Sequence, residues 1–150
     1  MGTEDQTIAP GGTQSTDRMR NLNVLVVDDD ETHRRLMEMV AEYLHITVHA
    51  VQTAEEGLVL LGLNAFDIVL LDLRMPGVDG FDFCQRWRKA EEESGVEHLP
   101  IIAVTAMAFR DTPGRCMAAG MDDYLSKPFE LEKLRQKIDS LTDRVGASEH

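Results

Sequence analysis

Short runs of β-branched and other apolar residues recur along this chain, each followed by a longer stretch of helical period, and that alternation leaves few folds open. The runs are Leu22 to Val27 (LNVLVV), Ile46 to Val51 (ITVHAV), Phe66 to Leu71 (FDIVLL), Pro100 to Val104 (PIIAV) and Asp123 to Ser126 (DYLS). Strands that alternate with helices build a parallel sheet from βα units. The third run is almost continuously apolar, as a central strand covered on both faces must be, whereas the second alternates and reads as an edge.

Helix signals fall between the runs. Thr53 and Glu56 in TAEE form a capping box, each side chain able to satisfy an orphaned N–H of the first turn. Asp79 caps a helix through Phe81, Phe83, Cys84 and Trp87, and Thr112 with Pro113 reads as N-cap and N1 of a short helix closed by Gly120. A last helix over about Glu130 to Leu141 carries Leu131, Leu134, Ile138 and Leu141 at helical spacing. Residues 1–20 are rich in Gly, Thr, Ser, Gln and Asp and cannot repay the entropy of ordering, so they read as a flexible leader. The expected organisation is one folded domain over 21–142 with a short tail over 143–150.

Composition excludes several function classes. No apolar run approaches the ~18 residues needed to cross a bilayer, and the first residues lack the basic and apolar regions of a secretory signal, which argues for a cytoplasmic chain without membrane insertion. Fifteen basic against 27 acidic residues give a net charge of −12, which repels nucleic acid phosphates and favours cations and protein partners. Cys84 and Cys116 have no metal-ligand spacing and read as packing residues. His33, His45, His49 and His98 show no pair at metal spacing and read as solvated.

In an open parallel sheet, ligands bind beyond the C-terminal strand ends, so the residues just past each strand are the informative ones. Asp28, Asp29 and Asp30 follow the first run, Asp72 the third, Thr105 the fourth, and Lys127 with Pro128 the fifth. Ionised carboxylates brought together there repel one another unless a cation sits among them. An all-oxygen, partly hydrated site suits Mg²⁺, and Lys127 offers a second positive charge to a phosphoryl oxygen. An acidic doublet after a strand is in itself most often a helix cap, the role that suits Asp30. The coincidence with Asp72, Thr105 and Lys127 is what favours a site.

The segments VLVVDDDE, IVLLDLRMPGVDG, IIAVTA and AGMDDYLSKPF resemble the response regulator receiver family, in family order and spacing, over about Asn21 to Leu141. The resemblance implies a flavodoxin-like, doubly wound α/β fold with a five-stranded parallel sheet in the order 2-1-3-4-5 and five helices. It also implies a role for each matching position. Asp72 matches the phosphoacceptor; Asp29 and the backbone carbonyl of Arg74 match direct Mg²⁺ ligands, and Asp28 the acid that reaches the metal through water. Thr105 and Lys127 match the side chains that grip the phosphoryl oxygens, Ala106 the residue whose backbone N–H joins them, and Tyr124 the aromatic switch. The Lys127-Pro128 bond resembles the family's cis peptide.

The implied chemistry is phosphoryl transfer from a histidine kinase or histidine phosphotransfer protein to Asp72, followed by slow autodephosphorylation tuned near Arg74 and Met107. It is self-modification rather than turnover. The implied output is a changed face of the fourth helix, fifth strand and fifth helix that meets a downstream protein. Three other readings compete with this one. A dehalogenase-like phosphatase would carry a second acid where Arg74 stands, and a flavin-binding module would not place three aspartates where a phosphate should sit. A non-phosphorylating receiver-like module is the third, against which all the required side chains are present. Fewer than 25 residues follow Lys127, too few for a DNA-binding effector.

Overall fold

The computed structural model describes residues 21–75, 77–106 and 109–148, with side chains through 142. Its elements are β1 (Asn23–Val27), α1 (Glu31–Leu44), β2 (Thr47–Val51), α2 (Ala54–Leu63), β3 (Ile68–Leu71), α3 (Gly80–Ser94), β4 (Ile101–Thr105), α4 (Thr112–Ala119), β5 (Asp123–Ser126) and α5 (Leu131–Ser148). The strands form one parallel sheet in the order β2-β1-β3-β4-β5, as the resemblance implied. Register pairs Val27 with both Val51 and Leu71, and Thr105 with Ser126, so the C-terminal strand ends line up along one rim.

The sheet separates two apolar cores, and strand alternation assigns each residue to one of them. Val24, Val26, Ile68, Leu70, Ile102, Val104 and Leu125 face α1 and α5, meeting Met37, Leu44, Leu134 and Ile138. Leu25, Val27, Val69, Leu71, Ile101 and Ala103 face the other side, with Phe83, Cys84 and Cys116. β3 is buried at all four positions, and β2 at none, which confirms the central and edge assignments. Burial pushes the Cys84 thiol up to about 11, consistent with a packing role.

The helix starts depart in detail from expectation. Thr53 Oγ1 accepts from Glu56 N–H at 3.1 Å, but Glu56 Oε1 accepts from Gln52 N–H at 3.3 Å, one residue before the cap, so the box is offset. Asp79 caps α3 through Asp82 N–H at 2.9 Å. For α4 the cap position is Asp111 and not Thr112, which is already helical; Thr112 Oγ1 instead accepts from Phe109 N–H at 3.0 Å in the preceding loop. Gly120 closes α4 at φ +102°, a left-handed conformation that glycine adopts without steric cost.

The tail expected over 143–150 is corrected along its backbone, because α5 continues to Ser148. No proline interrupts that stretch, and the Thr142 hydroxyl donates to Ile138 O at 2.7 Å within the helix. Residues 1–20, Pro76, Met107 and Ala108 lie outside the described residues, and with them the flexible-leader expectation and the tuning role of Met107. Among the described residues no helix is long and apolar enough to cross a membrane.

Candidate functional site

Asp28 follows β1 and is only 5% exposed, while Asp72 follows β3 and is 9% exposed. Asp29 is exposed beside them. One carboxylate oxygen from each of Asp28, Asp29 and Asp72 lies within 4.8 Å of the others. Three acids reach this separation because β1 and β3 are hydrogen-bonded neighbours whose chains leave the sheet side by side; Asp72 N–H donates to Val27 O at 2.9 Å.

Lys127 enters from the loop after β5, with a cis bond to Pro128. Its Nζ donates to Asp28 Oδ2 at 2.7 Å and lies 3.6 Å from Asp72 Oδ2. Thr105 at the end of β4 is fully buried, and its hydroxyl hydrogen-bonds Asp72. Arg74 N–H donates to Asp72 Oδ1 at 3.2 Å, and Asp30 N–H to Asp28 Oδ1 at 2.9 Å, so backbone donors fix both carboxylates. Asp30 caps α1 by accepting from Thr32 N–H at 2.8 Å, the structural role expected of it. Arg74 and Ala106, both exposed, border the same cleft of about 620 Å³.

Burial holds the Asp72 carboxyl above its ordinary range, and the neighbouring Asp28 charge adds to this. The Lys127 ammonium, the Arg74 N–H and the Thr105 hydroxyl pull the other way without overcoming it. Such a set of oxygens, crowded, half neutralised and partly open to solvent, matches the donor chemistry of a hydrated divalent cation. A carboxylate in it is aimed at the cleft by hydrogen bonds rather than by packing alone.

A family model for the response regulator receiver domain matches residues 24–139. The chain belongs to that family. It is a receiver domain of two-component signalling. Virulence sensor protein BvgS of Bordetella bronchiseptica is 39% identical over 127 residues, which are 83% of this chain and 10% of that protein. Chemotaxis protein CheY-3 of Vibrio cholerae serotype O1 is 33% identical over 129 residues, 84% of this chain and 95% of that one. The chain therefore spans about a tenth of the sensor protein and nearly all of the chemotaxis protein. Among solved structures, the receiver domain of sensor histidine kinase PA1611 from Pseudomonas aeruginosa PAO1 is 28% identical with a TM-score of 0.73, covering 82% of this chain and 98% of that one. That structure has a magnesium ion coordinated in its active site cleft.

Two of the receiver's polar clusters were not expected from the sequence. His33, read as solvated, instead places Nδ1 2.7 Å from Lys127 Nζ and 3.4 Å from Asp28 Oδ2. His98, read likewise, meets Asp122 Oδ1 at 2.7 Å. It belongs to a second network, at the opposite rim of the sheet, in which Arg88 binds Glu91 and Asp122. His45 and His49 are exposed. Gly80 is a further unexpected contributor, since a Cβ there would stand 2.7 Å from Asp72 O and 2.8 Å from Leu73 Cα. The first turn of α3 thus lies directly against the backbone of Asp72. Tyr124 of β5 is partly buried on the same side of the sheet as Ala103, its register partner. Strand alternation puts Thr105 on that side too.

Proposed function

We propose that this receiver accepts a phosphoryl group on Asp72, with Mg²⁺, from a phosphohistidine on a histidine kinase or phosphotransfer protein, and so switches a protein-binding face. The observation that carries the reading is the convergence of Asp72, Asp28 and Asp29 within 4.8 Å with Lys127 Nζ 3.6 Å from Asp72. The folded unit starts near residue 21 and includes α5 to Ser148, and its place of action is the cytoplasm.

Asp29, Asp72 and the Arg74 carbonyl would hold the metal directly and Asp28 through water, and the donor set fits because it is all oxygen and acidic. The ion supplies neutralisation of charge on the transferred group. An oxygen of Asp72 attacks phosphorus while the bond from phosphorus to the donor's imidazole nitrogen breaks, leaving that electron pair on the ring. Lys127 and Thr105 then face the new phosphoryl oxygens, joined by the N–H of Ala106. Lys127 already stands beside Asp72 and needs only to exchange acceptors. Loss of the phosphoryl group to water is the slow reverse of signalling.

Thr105 hydrogen-bonds Asp72 before transfer, and a phosphoryl group offers it a more highly charged acceptor. Its shift changes the space open to Tyr124, and the α4-β5-α5 face changes with it for a downstream protein. Transfer of labelled phosphate from acetyl phosphate, with and without Mg²⁺, tests the reading. Metal-dependent labelling that Asp72→Asn abolishes supports it, and equal labelling of the variant removes Asp72 from the role.

A further inference from the structure

One contact in the cleft has no part in the chemistry above. Lys127 Nζ has two short partners, Asp28 Oδ2 at 2.7 Å and His33 Nδ1 at 2.7 Å, and both belong to the β1–α1 side. Asp72 Oδ2, at 3.6 Å, is beyond hydrogen-bond range. An ammonium has only donors to offer, so Nδ1 must present its lone pair and a neutral imidazole carries its proton on Nε2. The same nitrogen then cannot donate to Asp28 Oδ2 at 3.4 Å or Asp30 Oδ2 at 3.8 Å. Those oxygens lie near His33 without being its partners. His33 itself sits in the first turn of α1, where its N–H donates to Asp30 Oδ1 at 3.3 Å, so the imidazole is presented from a capped helix and not from a loop.

We propose that His33 is a positioning residue that holds Lys127 on the α1 side of the cleft in the unphosphorylated state, opposing its closure onto a phosphoryl group. The inference rests on the phosphoacceptor reading and adds a control element to it. An interaction made in the resting state and given up in the bound state raises the cost of binding by its own free energy. Lys127 cannot keep two partners on the α1 side and also turn fully to Asp72. The imidazole's short polar contact is with Lys127 Nζ, so His33 acts through the lysine and not on the reacting atoms. A neutral acceptor shared with a carboxylate corresponds to about a two- to tenfold effect on affinity.

The test uses the full chain at saturating Mg²⁺. Beryllofluoride affinity is measured by calorimetry for wild type, His33→Ala and His33→Asn, each with Lys127 and with Lys127→Ala. His33→Ala should bind the mimic about two- to tenfold more tightly. His33→Asn, whose side-chain oxygen can stand near the place of Nδ1, should return toward wild type. With Lys127→Ala the His33 substitution should have no effect, since the cycle isolates their coupling. In wild type the imidazole ¹⁵N resonance of Nδ1 should move on binding, as it loses the ammonium. Unchanged or weaker affinity in His33→Ala, or an equal gain without Lys127, overturns the inference alone. Failure of the wild type to bind the mimic overturns the phosphoacceptor reading and this inference with it.

Discussion

Arg88→Ala should be among the most destabilising single changes in this receiver, although the residue is far from the phosphoacceptor. The Arg88 guanidinium makes five bonds from α3: Nη1 to Glu91 Oε1 at 2.9 Å, Glu91 Oε2 at 3.0 Å and Leu99 O at 2.8 Å, Nη2 to Asp122 Oδ2 at 2.9 Å, and Nε to Gly120 O at 2.9 Å. Its partners are shielded, with the Glu91 side chain 7% and the Asp122 side chain 21% exposed. Removing the cation leaves two shielded carboxylates that, among the described residues, keep Trp87 Nε1 and Leu99 N–H on Glu91 and Ile101 N–H and His98 on Asp122. Breaking a buried pair in this way costs about 3–5 kcal/mol. Glu91→Gln should cost less, about 1–2 kcal/mol, because the amide keeps an acceptor for Trp87 and Leu99 while Arg88 retains Asp122. Urea unfolding followed by far-ultraviolet circular dichroism gives both values, and Trp87, the single tryptophan, provides a second probe. A cost below about 1 kcal/mol for Arg88→Ala, the level of an exposed pair, would refute the reasoning, as would equal costs for the two variants.

Three further outcomes are expected. Because burial raises the Asp72 pKa above its ordinary 3.8, the folded state disfavours the ionised form, so a stability penalty is absent below that value and grows as pH rises past it. Metal-free Asp72→Asn should therefore melt higher than wild type near neutral pH, with the advantage fading toward about pH 4; a lower melting temperature at neutral pH contradicts the crowding. Gly80→Ala should cost about 1–3 kcal/mol and slow labelling by acetyl phosphate, since its Cβ meets the Asp72 carbonyl; wild-type stability and rate would show that α3 shifts freely. Asp29→Ala should weaken Mg²⁺ binding sharply in calorimetry, and unchanged affinity would remove Asp29 from the site.

What could be read in the chain beforehand was what is local. The runs that became β1 and β3 announced themselves by composition, and Asp28, Asp72, Thr105 and Lys127 were found because each stands at its own strand end. A parallel sheet then gathers them without further information. His33 was missed because its partner lies 94 residues away, and nothing in ETHRR distinguishes an inward imidazole from a solvated one. Position alone was a usable signal, as it falls in the first turn after the aspartate triplet. Glu91 and Asp122 were passed over for a related reason, since charges on a helix and in a loop read as solvated until a shared arginine joins them. Gly80 escaped because its constraint is the nearby Asp72 backbone and not a positive φ. The Asp111 cap is a boundary effect of one residue, whereas α5 runs about two turns past the expected end at Leu141.

The most direct test of the central claim is to locate the phosphoryl group. After incubation with acetyl phosphate and Mg²⁺, the aspartyl phosphate can be trapped by reduction with borohydride and the modified residue mapped by peptide mass spectrometry. The modification should fall on Asp72, depend on Mg²⁺ and be lost in Asp72→Asn. A modification on Asp28, Asp29 or His33, or one that persists in Asp72→Asn, would contradict the account.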